Sequence, residues 1–212
     1  MKKIKLLALA VVVMATYNCK EAKKEKETQD QKEMASQMFT LVKDSTKVSF
    51  TAYKTSEKLP VGGKFTKIKI TDSKGGASVL DALNGTTFSI PVASLFTNDA
   101  TGTRDPKLLE FFFGVMRNTA SITGTFKTAA NNSCSIDVTL NGETANIPLE
   151  LTMTSETNAT FNGLMNLEDW NATDALISIN EACKELHTGK DGVSKTWSEV
   201  AVQAQVQLKK NN

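Results

Sequence analysis

Apolar and polar residues alternate with a period of two along most of the chain after residue 45. The alternation is clearest in EVAVQAQVQLK (199–209), where valine, alanine and leucine fall on one side and glutamine on the other. Further runs of this kind are KVSFTAYK (47–54), KFTKIKI (64–70), TFSIPVAS (87–94), SITGTFKT (121–128), SIDVTL (135–140), NIPLELTM (146–153) and TFNGLMNL (160–167). Strands with one apolar and one polar face are typical of antiparallel sheets, so the pattern predicts an all-β domain.

Roughly eight or nine strands joined by short turns indicate a sandwich or a barrel. One apolar face per strand is buried most completely when the sheet closes on itself, which predicts an eight-stranded antiparallel barrel. A barrel of this size has room for packed side chains or for one small ligand. Gly124 and Gly163 lie inside strands, where glycine predicts bends or bulges. Phe65 is out of step with Ile68 and Ile70, which predicts a bulge or a polar neighbour at that point.

Two or three short helices interrupt the strands. The segments are SVLDAL (78–83), RDPKLLEFFFG (104–114) and NEACKELHTG (180–189). In the second, we expect Asp105 to be the N-cap, Pro106 the first helical residue and Gly114 the end. None of the three is long enough to build a core of its own, so the class remains all-β with helical additions and a single domain.

The N-terminal segment has a different character. MKKIKLLALAVVVMATYN combines a basic start with an apolar run of about nine residues, which predicts a secretory signal peptide over residues 1–18. Cys19 follows directly and resembles the lipobox cysteine of bacterial lipoproteins, which is lipidated; the alternative is cleavage near Ala15 with an incidental cysteine. Residues 20–38 are nearly all polar, so residues 19–43 are interpreted as a lipidated cysteine and charged tether, and residues 44–212 as the barrel.

Charge and cysteine content narrow the possible partners. The chain has 25 basic and 23 acidic residues, and removing the three lysines of residues 1–18 leaves 22 basic residues against 23 acidic ones. No clustered basic surface is indicated, so no nucleic-acid partner is expected. Cys134 and Cys183 would pass through an oxidising compartment, which leaves open either a disulfide between them or two separate buried thiols.

Several segments occur in an order that resembles the YceI-like family. They are VGGKFTKI (61–68), FSIPVASLFTNDATGTRDPKLLEFFFG (88–114), ITGTFK (122–127), VTLNGETANIPLEL (138–151) and DGVSKTWSEVAVQAQVQL (191–208). The most specific positions are Ser94, Thr97, Arg104-Asp105, Leu108 and Phe112-Phe113. The resemblance covers roughly residues 46–209. It implies a lipocalin-like, eight-stranded periplasmic barrel whose lumen holds a polyisoprenoid or a related amphiphile. Lys107, where many relatives have histidine, and LEDWNA (167–172), which lacks an arginine, depart from the family pattern.

The candidate ligand-binding residues are mostly aromatic. They are Phe50, Phe88, Leu108, Phe112, Phe113, Phe126 and Phe161, with Phe65 as a further lining residue, and Arg104 as the polar candidate. Arg104 could hold a head group by forked hydrogen bonds. The structural alternative pairs Arg104 with Asp99, and the phenylalanines of the helix could equally fill the barrel end.

His187 is the single histidine, four residues after Cys183 on a predicted helix. A metal site needs several converging ligands, and two are too few, so we expect no metal and no cofactor. The leading hypothesis is a non-enzymatic lipoprotein that binds a polyisoprenoid, quinone or fatty amphiphile. It would be anchored to a membrane facing the periplasm, with the outer membrane favoured and surface exposure and oligomeric state left open. The alternatives are a filled barrel acting as a structural or interaction module of the envelope, and an enzyme acting on lipids.

Overall fold

A computed structural model of the chain describes residues 38–211. The predicted signal peptide, the predicted lipidation site Cys19 and nearly all of the tether lie outside the described residues, and they remain predictions.

Eleven strands of the described region form one antiparallel sheet. They are β1 (Phe39–Leu41), β2 (Lys47–Lys54), β3 (Leu59–Phe65), β4 (Lys69–Asp72), β5 (Thr87–Pro91), β6 (Leu95–Phe96), β7 (Ser121–Thr128), β8 (Cys134–Leu140), β9 (Glu143–Met153), β10 (Asn158–Asn166) and β11 (Glu199–Lys210). The strand order is β4-β5-β7-β8-β9-β10-β11-β2-β3-β6, and β1 pairs with β11 outside this path. The all-β class is confirmed. The sheet has more strands than the eight predicted, and β4 and β6 end the path without pairing with each other.

Four α-helices accompany the sheet within residues 38–211: α1 (Val79–Leu83), α2 (Arg104–Phe111), α3 (Thr173–Ala182) and α4 (Lys184–His187). Short 3₁₀ turns lie at Lys43–Ser45, Val92–Ser94, Phe113–Val115, Ala130–Asn132 and Leu167–Trp170. The helix predicted over 180–189 is wrong in its bounds, because α3 begins at Thr173 and the helix is interrupted at Cys183. None of these helices has the length and apolar character needed to cross a bilayer.

Of the bends or bulges predicted at Gly124 and Gly163, the bulges are absent. Strand register continues through both residues without a shift, and it shifts instead between Ile70 and Asp72, where β4 pairs with β5. The glycines make room for neighbouring side chains: a Cβ atom on Gly124 would lie 2.5 Å from the ring of Phe88, and one on Gly163 would lie 2.8 Å from side chains of β9.

Phe65 is out of step because KFTKIKI is not one strand. Strand β3 ends at Phe65 and β4 begins at Lys69. Between them the backbone N–H of Thr66 donates to the carbonyl of Ser94 at 2.8 Å. This break, rather than the predicted bulge or polar neighbour, lets Phe65 and Ile68 both face the interior.

The two ends of the curled sheet are covered by different elements. At one end, called the α1 end, helix α1 and strand β1 pack on a cluster that includes Phe126 and Phe161. At the other, called the α4 end, helices α2, α3 and α4 and the 3₁₀ turns around residues 113–115 and 167–170 gather. Trp170 anchors the α4 end: its side chain is 0% exposed, and its Nε1–H donates to the carbonyl of Val138 at 2.8 Å.

Candidate functional site

A cavity of about 650 Å³ lies inside the curled sheet. This volume falls in the range of ligand pockets, about 300–1,000 Å³. Strands far apart in the sheet order, such as β2 and β7, line the same cavity, and this shows that the sheet is curved. All eight residues predicted to contact ligand line it: Phe50, Phe88, Arg104, Leu108, Phe112, Phe113, Phe126 and Phe161. Phe65 lines it as well.

Two phenylalanine rings of the wall lie over glycines of the neighbouring strand. Phe50 is opposite Gly63 in the β2–β3 ladder, and a Cβ atom on Gly63 would lie 2.4 Å from Phe50 Cζ. Phe88 is opposite Gly124 in the β5–β7 ladder, at 2.5 Å by the same measure. Because each ring occupies the space above a glycine, it lies along the wall instead of reaching across the lumen. The glycines therefore help to keep the cavity open.

The cavity opens at the α4 end. Its exposed lining residues within 38–211 are Thr101, Thr103 and Leu186, and they belong to the segment before α2 and to α4 itself. At the α1 end the lining residues are buried or half-buried, and among them Leu83 is 3% exposed and Phe161 is 2% exposed. The exposed part of the lining thus forms a mouth at the α4 end.

The charged lining residues gather at this mouth. They are Lys54, Asp99, Arg104 and Lys107. Arg104 Nη2 lies 3.4 Å from Asp99 Oδ1, as the structural alternative expected. No carboxylate of the described residues lies within 4.0 Å of the ammonium groups of Lys54 or Lys107. Within residues 38–211 the mouth is therefore positively charged, with two ammonium groups that no acid of this region neutralises.

Asp99 satisfies the start of α2, so the predicted N-cap role of Asp105 is wrong. The helix begins at Arg104, and Asp99 Oδ2 accepts hydrogen bonds from the N–H groups of Thr103 at 3.1 Å and Arg104 at 3.3 Å. The pKa of the Asp99 carboxyl is lowered, mainly by the hydroxyl of Thr101, which donates to it at 2.5 Å. An ionised Asp99 therefore positions both the helix start and the Arg104 guanidinium.

Asp105 has another structural role. Its Oδ1 accepts a hydrogen bond from the backbone N–H of Thr97 at 3.0 Å and one from the Thr97 hydroxyl at 2.5 Å. This pair closes the loop between β6 and α2, so Asp105 holds the loop that carries Asp99. Pro106 is the third residue of α2 rather than the first, and Gly114 lies in the following 3₁₀ turn.

His187 reaches the mouth from α4 and has a defined tautomer. The Thr196 hydroxyl donates to Asn180 Oδ1 at 2.9 Å, so its oxygen accepts from His187 Nδ1–H at 2.7 Å. Nε2 then carries the lone pair of the neutral ring. Burial, followed by the nearby charges of Lys54 and Lys107, lowers the pKa of His187 to about 4. The ring is therefore neutral at neutral pH and presents an acceptor at the cavity.

The two cysteines are separate, buried and free, so the disulfide alternative does not hold in this structure. Cys134 Sγ donates to the carbonyl of Leu149 at 3.4 Å, and burial raises its pKa. Cys183 lines the cavity beside α4. Across residues 38–211, no group of three or more His, Cys, Asp or Glu side chains is arranged to hold a metal ion.

Several side chains of the mouth, including Lys54, Lys107, His187 and Thr196, are not among the residues predicted to contact ligand. The spacing of Cys183 and His187 does indicate that both lie on one helical face. No local pattern indicates that residues near positions 54, 107, 187 and 196 converge, since that convergence depends on the closure of the sheet and the docking of α2 and α4.

Comparisons with known proteins agree with this architecture. Residues 39–208 match the YceI-like domain. The fold is similar to a polyisoprenoid-binding domain from Saccharophagus degradans implicated in plant cell wall breakdown, with 14% identity, 82% of this chain and 99% of that chain covered and a TM-score of 0.54. It is also similar to BcnA of Burkholderia cenocepacia, with 16% identity, 80% and 99% coverage and a TM-score of 0.51. Among curated proteins, none matches the sequence significantly. Because the domain match spans most of its length, the chain belongs to the YceI-like family.

Proposed function

We propose that this protein binds one apolar, chain-like ligand, a polyisoprenoid, a quinone or a fatty amphiphile, inside its curled sheet. The observation that carries the proposal is the cavity of about 650 Å³, whose wall is mainly aliphatic and aromatic. The polyisoprenoid-binding domain of Saccharophagus degradans, which has a similar fold, supports the ligand class. A filled barrel acting only as an interaction module would have no such cavity.

The size of the cavity favours a long chain over a short one. Its volume corresponds to roughly 20 groups of the size of a water molecule, at about 30 Å³ each. Burying about 15 methylene-sized groups would contribute on the order of 12 kcal/mol, at about 0.8 kcal/mol each. Association itself costs on the order of 4–15 kcal/mol, so short chains would gain too little to stay bound.

The sequence before the described residues supports a location for this activity. A signal peptide over residues 1–18 followed by Cys19 fits a protein lipidated at that cysteine and held at a membrane that faces the periplasm. The polar segment after Cys19 would act as a tether between the anchor and the binding domain. Binding, rather than catalysis, is the proposed role.

Lipid extraction from the full-length protein tests the proposal. Solvent removes a bound ligand but leaves a covalently attached anchor on the polypeptide, so the two are separated before mass spectrometry. We expect about one chain-like lipid per protein. Ala204→Trp, which fills the lumen opposite Phe161, should reduce this amount severalfold, whereas Ala201→Trp, which does not line the cavity, should leave it unchanged. Extraction of no lipid from the unaltered protein would contradict the proposal.

A further inference from the structure

Besides Arg104, which pairs with Asp99, three cationic or potentially cationic side chains reach the cavity mouth from separate elements: Lys54 ends β2, Lys107 lies on α2 and His187 ends α4. The ionisable groups that act on the His187 ring are the two lysines, and both are cationic. Tyr53, Asp99, Arg104 and Cys183 are further ionisable groups of the lining, and Asp99 and Arg104 form an ion pair. Binding of a purely apolar chain does not require two ammonium groups near a neutral imidazole, whose protonation they disfavour.

His187 also has an unused ring nitrogen. Across residues 38–211, the hydrogen bonds of the ring are accounted for by Thr196 at Nδ1, and no protein group is bonded to Nε2. A negatively charged oxygen cannot approach the Nε2 lone pair favourably, but it can accept a hydrogen bond once Nε2 is protonated. An anion at this point would also offset the charges of Lys54 and Lys107 that disfavour the protonated ring.

We propose that the mouth is a subsite for an anionic head group, a carboxylate or a phosphate ester at the end of the apolar ligand, and that His187 takes up one proton when this head group binds. The proton comes from the solvent and is held at Nε2, no covalent bond is made or broken, and Lys54 and Lys107 contribute the remaining positive charge. This inference rests on the proposed function, because the head group is positioned by a chain already held in the cavity.

Two probes of equal chain length test it. Dodecane-1-sulfonate carries a permanent negative charge, and dodecan-1-ol has none, so neither probe titrates near neutral pH. Binding is measured by calorimetry, below micellar concentrations, on full-length protein freed of lipid on a hydrophobic resin. We expect the sulfonate to bind about tenfold more tightly than the alcohol at pH 6. Its affinity should rise by up to about tenfold per pH unit as the pH falls from the pKa of His187 in the complex toward its value of about 4 in the free protein, while that of the alcohol stays flat.

Variants assign the effect to the three side chains. Lys54→Met and Lys107→Met should each bring the sulfonate affinity closer to that of the alcohol, whereas Lys69→Met, an exposed lysine of β4 that does not line the cavity, should keep the full preference. His187→Gln should remove the pH dependence. Because the chain has a single histidine, NMR of a protein with a histidine-free tag follows its titration directly. The pKa of His187 should move upward with the sulfonate and stay near 4 with the alcohol.

Each outcome has a separate meaning. If both probes bind with equal affinity, or if His187→Gln retains the pH dependence, the head-group subsite is wrong while the proposed function stands. If neither probe binds and no lipid is extracted from the protein, the proposed function and this inference both fail. Separate arms with dodecanoate and dodecyl phosphate then distinguish which acidic head group is preferred.

Discussion

The two ends of the cavity use different side chains for different purposes. At the α1 end, Phe126 and Phe161 pack edge to face with ring centroids 5.0 Å apart, inside a cluster of buried apolar residues. At the α4 end the lining includes an ion pair, two lysines that pair with no acid of the described region, and a neutral histidine. The first arrangement supplies buried area, which stabilises the fold and accepts any apolar chain. The second supplies charge, which can distinguish one head group from another. Substitutions should therefore separate stability from selectivity.

The largest effect is expected at the α1 end. Phe161 is 2% exposed, so Phe161→Ala removes a buried ring and should lower the free energy of unfolding by about 3–5 kcal/mol. Phe161→Leu retains most of the apolar volume and should cost clearly less. Urea denaturation followed by tryptophan fluorescence measures both. The preference for the sulfonate over the alcohol should persist in the folded variants, and its loss would break the separation between the two ends.

The wall between the two ends is tested by two neighbouring glycines. A Cβ atom on Gly63 would lie 2.4 Å from the Phe50 ring, whereas one on Gly62 meets only the Phe50 carbonyl oxygen, at 3.8 Å. Gly63→Ala should push the ring into the lumen, cost about 1–3 kcal/mol and weaken binding of both probes alike. Gly62→Ala should stay within about 0.5 kcal/mol of the unaltered protein. Equal effects of the two substitutions would show that the ring does not depend on the glycine.

The α4 end should make the free energy of unfolding depend on pH. The pKa of His187 is about 4 in the folded protein and near 6.5 in the unfolded chain, so the unfolded chain binds more protons between these values. Stability is therefore highest above pH 6.5 and falls as the pH drops toward 4. Because the ring is only half-buried, solvent screening limits the loss to about 1–2 kcal/mol.

His187→Gln isolates this contribution, since glutamine does not titrate. The difference in unfolding free energy between the unaltered protein and His187→Gln should change by up to about 1–2 kcal/mol between pH 7 and pH 4.5, as measured by urea denaturation. Phe161→Leu, at the opposite end, should follow the unaltered protein at both pH values. A difference that is constant with pH would mean that His187 titrates normally in the folded state.

The wall of the cavity could be predicted from the sequence because strand alternation is local. The alternation in each strand separates an apolar from a polar face, so Phe50, Phe88, Phe126 and Phe161 could be named as candidate lining residues. Which of them point into the lumen depends on how the sheet closes. The helix that begins at Arg104 could also be predicted from its own residues, although its N-cap could not. These features depend on interactions within a few residues of one another.

The mouth could not be predicted because it depends on contacts between distant segments. Asp99 rather than Asp105 accepts the hydrogen bond from the N–H of Thr103 at the start of α2. The carboxylate of Asp105 already accepts from the N–H of Thr97, because the β6–α2 loop folds back. A glycine inside a strand leaves room where a side chain would be. The partner strand determines whether a bulge forms there or a neighbouring ring packs over the glycine. The convergence of Lys54 and His187 likewise requires the final sheet.

The smallest effect is expected from Asp99, and it sharpens the assignment of the mouth. Asp99→Asn keeps an oxygen that can accept from the helix N–H groups and removes the charge that faces Arg104 across 3.4 Å. Only a slight loss of stability should follow. Freed from its partner, Arg104 should raise the sulfonate affinity about two- to threefold and leave the alcohol affinity unchanged. Asp137→Asn is the matched control, because Asp137 also pairs with a cation, Lys127, but does not line this cavity. Calorimetry with both probes measures the effect, and an equal gain in the two variants would mean that net charge, not the mouth, selects the head group.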